Sequence, residues 1–243
     1  MLGLGVGLPY SSHIQEFTLS SVSDLAVWLQ NGVGVTTAKW DDSSGNSNHV
    51  SQSTEGNRGT VSGGGLDLER DSDNFYELAN KIDIVDNQGF CAAFVVTRES
   101  ETAGTVFSDN LELLQFQSSS TFRIFCNNNA GNVTTVTTAV FPNNPFEVST
   151  KTLVLVNRTA GTPVRYTFFV NGTQLTPDVD LSANEAPGEN PHGIEFQYLG
   201  STGNGVGDFF DGIIHEAAIW SKGLNAKEIA DVNSYLKSFH NIN

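Results

Sequence analysis

The chain of 243 residues carries 27 acidic and 12 basic side chains, a net charge of −15, and only 16% charged residues in all. That balance supplies no basic patch for nucleic acid and is repelled by anionic lipid, so neither nucleic acid nor membrane is an expected partner. No run reaches the ~18 apolar residues of a membrane span, and 16 Phe with 24 Gly suit an all-β protein with many turns and an aromatic core.

An all-β sandwich of this length is commonly one domain, so a single domain is expected over residues 23–243, preceded by an arm at 1–22. In the arm Leu2, Leu4, Val6 and Leu8 alternate with glycine before Pro9. Glycine at that density opposes a helix, so the segment reads as extended, either docked on a neighbouring subunit or laid along its own domain. It has no basic n-region and no apolar h-region. No secretory leader is therefore expected, and the sequons at Asn132, Asn157 and Asn171 carry no weight.

Short strands separated by turns follow. Leu25 to Leu29 is the first, and Trp40-Asp41-Asp42-Ser43-Ser44-Gly45-Asn46 is a polar loop behind a tryptophan. Leu66, Leu68 and then Phe75 to Leu78 form a pair; residues 90–97 are almost continuously apolar and read as a central strand. Residues 111–117 and 121–127 form a hairpin across three serines, and further strands are expected at 133–140, 152–157, 164–170 and 194–200. Phe168 and Val170 share a face with Tyr166, and Asn171-Gly172 supplies a type I′ turn. Cys91 and Cys126 fall inside apolar strands and are expected as buried free thiols.

Glycines 203, 205 and 207 lead into the closing strand, residues 209–220. Strict alternation puts Ile213, His215, Ala217 and Ile219 on one face, and Gly212, Ile214, Glu216, Ala218 and Trp220 on the other. Neither face is cleanly polar, so both are expected to be covered. A helix over 225–239 ends the chain, with Asn225 as cap and Glu228 completing a capping box. Ile229, Val232, Leu236 and Phe239 form its apolar stripe, which predicts a buried Phe239 packed near Trp220.

In order and spacing, the strand at 25–29 with its Trp-Asp-x-Ser-Gly-Asn-like loop, the strand-then-Asn-Gly hairpin, the closing strand and the final helix resemble the concanavalin A-like, laminin G-like jelly roll. The resemblance covers residues ~22 to 242. It implies a two-sheet antiparallel jelly-roll sandwich with one C-terminal α-helix and an extended N-terminal arm. Relatives of this kind include lectins, glycosidases, adhesion modules and structural domains.

Catalysis is not expected. Glycosidases need two carboxylates on one face, and glucanases of this sandwich carry Glu-x-Asp-x-x-Glu, which is missing here. Asp211 and Glu216, an odd number of residues apart, point to opposite faces of a regular strand; Glu216 matches a position read as structural in the family. The five histidines are scattered, with no zinc spacing, and no nucleophile elbow or phosphate cradle is present. No cofactor is expected. Asp41, Asp42 and Asn46 lack the ligand alternation of a calcium loop and read as a self-bonded turn, although the resemblance leaves calcium open as a loop-rim ion.

For glycan binding, Trp40 beside Asp42, Asn46, Asn48 and His49 is the best local set, an aromatic platform with directional polar groups. The competing reading places Trp40 in the core. Function is expected to come from surface contact. By analogy of architecture the chain is similar to virion structural proteins of tailed phages, acting through capsid, tail or other virion subunits or through self-association. That analogy places it in the virion, and the alternative is an adhesin that recognises a host-surface glycan.

Overall fold

The computed structural model describes residues 17–109, 112–127, 134–161, 165–176 and 192–243. The arm residues Leu2, Leu4, Val6 and Leu8 lie outside the described residues. In chain order the strands are β1 Leu25–Leu29, β2 Lys39–Trp40, β3 Val50–Ser51, β4 Thr60–Ser62, β5 Gly65–Leu68, β6 Tyr76–Ile84, β7 Phe90–Arg98 and β8 Gly104–Ser108. They continue with β9 Leu113–Phe116, β10 Thr121–Asn127, β11 Thr134–Val140, β12 Lys151–Thr159, β13 Arg165–Val170, β14 Thr173–Leu175, β15 Ile194–Leu199 and β16 Gly212–Trp220. Among the described residues one α-helix, α1 Ala226–His240, follows.

Two antiparallel sheets face each other as a sandwich. One runs β14-β13-β12-β7-β16-β5-β4, with β1 also paired to β16; the other runs β11-β10-β9-β8-β15-β6-β3-β2. Half of the neighbouring pairs, those at the centre of each sheet among them, join strands distant in sequence, as a jelly roll requires. Between the sheets lies a core rich in phenylalanine. Phe116 meets Phe122 and Phe146 edge-on at 5.1 and 5.2 Å, and Phe141 meets Phe146 at 5.5 Å. Such pairs add about 0.5–1.5 kcal/mol beyond area burial.

The first sheet is covered on both faces. On β7, Phe90, Phe94 and Val96 enter the inter-sheet core, while Cys91, Ala93 and Val95 face a second cluster under α1. On β12, Val154 and Val156 face inward and Leu153 and Leu155 face the helix. This double burial is why the run at 90–97 is continuously apolar. Both cysteines are buried, and burial pushes the Cys91 thiol well up, which leaves it inert.

Other local expectations hold for physical reasons the sequence displays. Phe122 opposes Phe116 across the serine hairpin. Asn171 and Gly172 take φ of 50° and 77°, as a type I′ turn demands. Asn225 Oδ1 accepts from the amides of Lys227 and Glu228, and Glu228 Oε2 accepts from the Asn225 amide.

Three expectations are corrected. Alternation along β16 breaks at a bulge between Ile214 and Glu216, so Ile214 joins Ala217 and Ile219 in the inter-sheet core and His215 does not. Phe239 is 44% exposed. At about 100° per residue, His240 falls about 20° from Ile229 and Phe239 about 80° away, so His240 takes the inward position. Finally, the domain begins before residue 23: Leu19 and Val22 are buried in the cluster beneath α1, and Phe17 packs against it.

Candidate functional site

The loop expected to bind sugar is turned inward and satisfied by its own chain. Trp40 is fully buried in the inter-sheet core, with its indole N–H donating to Gln30 O at 2.9 Å. It therefore presents no stacking face. Asp42 accepts from the Trp28 and Ser44 amides on one oxygen, and from Ser44 Oγ and the Asn48 amide on the other. The Asn46 amide donates to Leu25 O, that of Asn48 to Ala26 O, and His49 Nδ1 accepts from the Asp42 amide. Hence the structure does gather Trp40, Asp42, Asn46, Asn48 and His49, but as a clasp across β1. The self-bonded reading of the turn accounts for its residues.

Carboxylates meet elsewhere. Asp67, Glu69 and Glu99 bring oxygen atoms within 4.8 Å of one another, close enough to share a cation. Burial, then Asp211, raises the pKa of Asp67; burial, then Asp67 and Asp211 among other acids, raises that of Glu69; burial, then Asp67, Glu69 and Asp211, raises that of Glu99. A second trio, Asp109, Glu112 and Glu195, has the same spacing. There Glu195 alternates with the core residues Ile194 and Phe196 and holds Lys81 Nζ at 2.6 Å. Neither trio forms a linear motif, because each draws on segments far apart in the chain.

A groove of about 720 Å³ runs along α1 on the outer face of the first sheet. Its floor comes from alternation: Phe168 and Val170 face the core, so Thr167 and Phe169 face outward, beside Asn157 and Thr159 of β12 and Gln174 of β14. Ala226, Ile229, Ala230, Asn233 and Lys237 wall it from the helix. Asn157 is committed to structure, accepting from the Leu224 amide at 2.7 Å and donating to Leu224 O at 3.2 Å, which fixes the entry of α1.

Two polar atoms of the groove are uncommitted. Asn233 is 6% exposed; its Nδ2 donates to Ile229 O at 3.0 Å, and its Oδ1 is buried without a partner. Thr167 Oγ1 is likewise buried and unpartnered. Each such atom costs about 1–3 kcal/mol, a cost that a hydrogen-bonding ligand would offset. With Phe169 as an apolar floor, the site has the makeup of a small-molecule groove: mostly apolar, with a few placed polar groups. The period-two pattern of β13 was the sequence signal for its outward face; nothing in the sequence showed that a helix would border it.

Fold and groove together define a jelly-roll sandwich domain with a ligand-sized cleft beside α1. The chain belongs to the concanavalin A-like lectin/glucanases superfamily, whose laminin G-type pattern matches residues 70–230. No curated protein matches it by sequence. Among solved structures it is similar to Trypanosoma rangeli sialidase, at 14% identity and a TM-score of 0.56, over 90% of this chain and 33% of that one. The same enzyme in complex with sialic acid gives 14% identity and 0.55, over the same shares. The carbohydrate-binding domain of a Ruminococcus gnavus sialidase, bound to sialyllactose, is 13% identical over 60% of this chain and 82% of its own, with a TM-score of 0.42. At such identities the likeness shows the fold, and the chain spans about a third of the trypanosomal enzyme's length.

Proposed function

We propose that the protein is a non-catalytic carbohydrate-recognition domain that binds in the groove between α1 and β13–β14. The observation that carries this reading is the pair of buried, unpartnered atoms Asn233 Oδ1 and Thr167 Oγ1 beside Phe169. Sugars are dense in hydroxyl donors and have apolar ring faces, so one ligand satisfies both features. Membership in a superfamily of lectins and glucanases supports the class. Among the described residues the groove lining contains no carboxylate to serve as a general acid for glycoside cleavage, which supports the non-catalytic part of the proposal. A virion setting, with capsid or tail subunits as partners, gains no support from the fold or its relatives, and saccharide recognition becomes the primary reading.

An oligosaccharide array tests it. The wild-type protein should give saturable binding to at least one saccharide, and Phe169→Ala and Asn233→Leu should each weaken it tenfold or more while the thermal transition persists. Binding that survives both changes would place the site elsewhere.

A further inference from the structure

We infer that the saccharide taken by the groove is anionic, and that Lys237 reads its charge; the inference rests on the groove being the binding site. Lys237 lines the groove, and among the described residues no Asp or Glu does, in a chain with 27 acidic residues. Lys39, Lys81, Lys222 and Lys227 each hold a carboxylate within 4.0 Å. Lys151 and Lys237 hold none among the described residues, and of these two only Lys237 lines the groove. Its ammonium is thus a cation without a carboxylate partner among the described residues, at the edge of a mostly apolar cleft.

The position of that cation is set by its stem. A Cβ at Gly172 would lie 2.9 Å from Lys237 Cδ, so the lysine crosses the Asn171-Gly172 turn where a side chain would collide. Gly172 also takes φ of +77°, which favours glycine on its own account. The turn that joins β13 to β14 therefore does two things: it closes the hairpin and seats the lysine at one end of the groove. A ring resting on Phe169 would offer hydroxyls to Asn233 Oδ1 and Thr167 Oγ1, with a carboxylate or sulfate directed to Lys237 Nζ.

The net charge of −15 opposes an anionic ligand at long range. At physiological salt the Debye length is about 8 Å, so charges farther off are largely screened, and a direct contact with Lys237 decides the preference. A charge-assisted hydrogen bond is roughly twice as strong as a neutral one. Lysine near a helix C-terminus also suits the helix dipole. That role predicts a stability effect but no ligand preference, so the two are separable.

The test is an array on which each uronate-containing or sulfated oligosaccharide is printed beside its carboxyl-reduced or desulfated counterpart. The anionic member of at least one pair should bind tenfold or more tightly. Lys237→Met should bring the two members of that pair within about threefold of each other, and Lys237→Arg should keep the preference. Whether the uronate or the sulfate pairs respond identifies the anionic group. Equal binding of both members, still lost in Phe169→Ala, would overturn the charge inference and leave the groove reading standing. Binding that is insensitive to Phe169→Ala, or no binding to any member, would overturn both.

Discussion

His240 Nε2 lies 2.7 Å from Glu216 Oε2, with the two side chains 3% and 1% exposed. The other Glu216 oxygen accepts from Trp28 Nε1, also at 2.7 Å. One carboxylate thus ties the last turn of α1 to the closing strand β16 and the opening strand β1. The β16 bulge makes this possible, because beyond it Glu216, Ala218 and Trp220 alternate toward the helix.

Breaking such a pair by removing one partner leaves a buried polar group uncompensated and typically costs 3–5 kcal/mol. We expect His240→Ala to lose about that much in urea unfolding, while Phe239→Ala loses less than about 1 kcal/mol because its ring is half in solvent. The reverse order would mean that Phe239, as the apolar stripe alone suggested, is the true anchor.

A second histidine gives a pH signature. His215 sits at the bulge, with Nε2 2.9 Å from Thr97 Oγ1. Burial, then Lys151 and His240, hold its pKa down at about 4 against an ordinary 6.5. Between those values the unfolded chain binds a proton that the folded one refuses, so stability rises with pH across pH 4 to 6.5 and falls as pH is lowered. His215→Gln should flatten that part of the stability profile. An unchanged slope in the variant would show that other groups carry it.

How far the sequence reached can be judged at these positions. The strand-rich architecture, the serine hairpin, the Asn171-Gly172 turn and the Asn225 cap were legible because each depends on residues adjacent in the chain. Trp40 was ambiguous because a tryptophan beside polar loop residues looks the same whether its ring faces in or out; only the sheet packed over it decides. The β16 bulge was hidden for a similar reason: an inserted residue leaves the composition of a strand unchanged while reversing the faces beyond it. Phe239 failed through the slow drift of a 3.6-residue helix against a 3- and 4-residue count. The groove and both carboxylate trios join elements far apart in sequence, which no local pattern reports.

The Asp67, Glu69 and Glu99 trio should cost stability at neutral pH. A carboxyl whose folded pKa is raised binds its proton more tightly in the native state, so stability falls as pH rises through that range. Asp67→Asn should therefore raise the melting temperature at pH 7, with the advantage vanishing near pH 3. No metal is expected to be needed for folding, since Glu69 and Glu99 are exposed to water, and excess calcium and excess chelator should give the same transition. A calcium-dependent rise of several degrees that disappears in Asp67→Asn would assign a cation to this cluster, because a ligand of the native state stabilises by mass action.

The Asp109, Glu112 and Glu195 trio is where a glycosidase reading would have to stand. Asp109 and Glu112 are 5% and 4% exposed, and their oxygens and that of Glu195 lie within 4.8 Å of one another. Three acids gathered this closely leave little room for the water that an inverting pair, about 6.5–9.5 Å apart, must hold between them. Glu195 is further engaged by Lys81 Nζ at 2.6 Å, so one of its oxygens is already committed to an ion pair. We therefore expect no reducing sugar to be released from any saccharide that the array shows to bind, over incubations long enough to detect slow turnover. Glu195→Gln should leave saccharide binding in the groove unchanged. Sugar release by the wild-type protein that disappears in Glu195→Gln or Glu112→Gln would move the chemistry to the second sheet and overturn the non-catalytic reading, whatever binds beside α1.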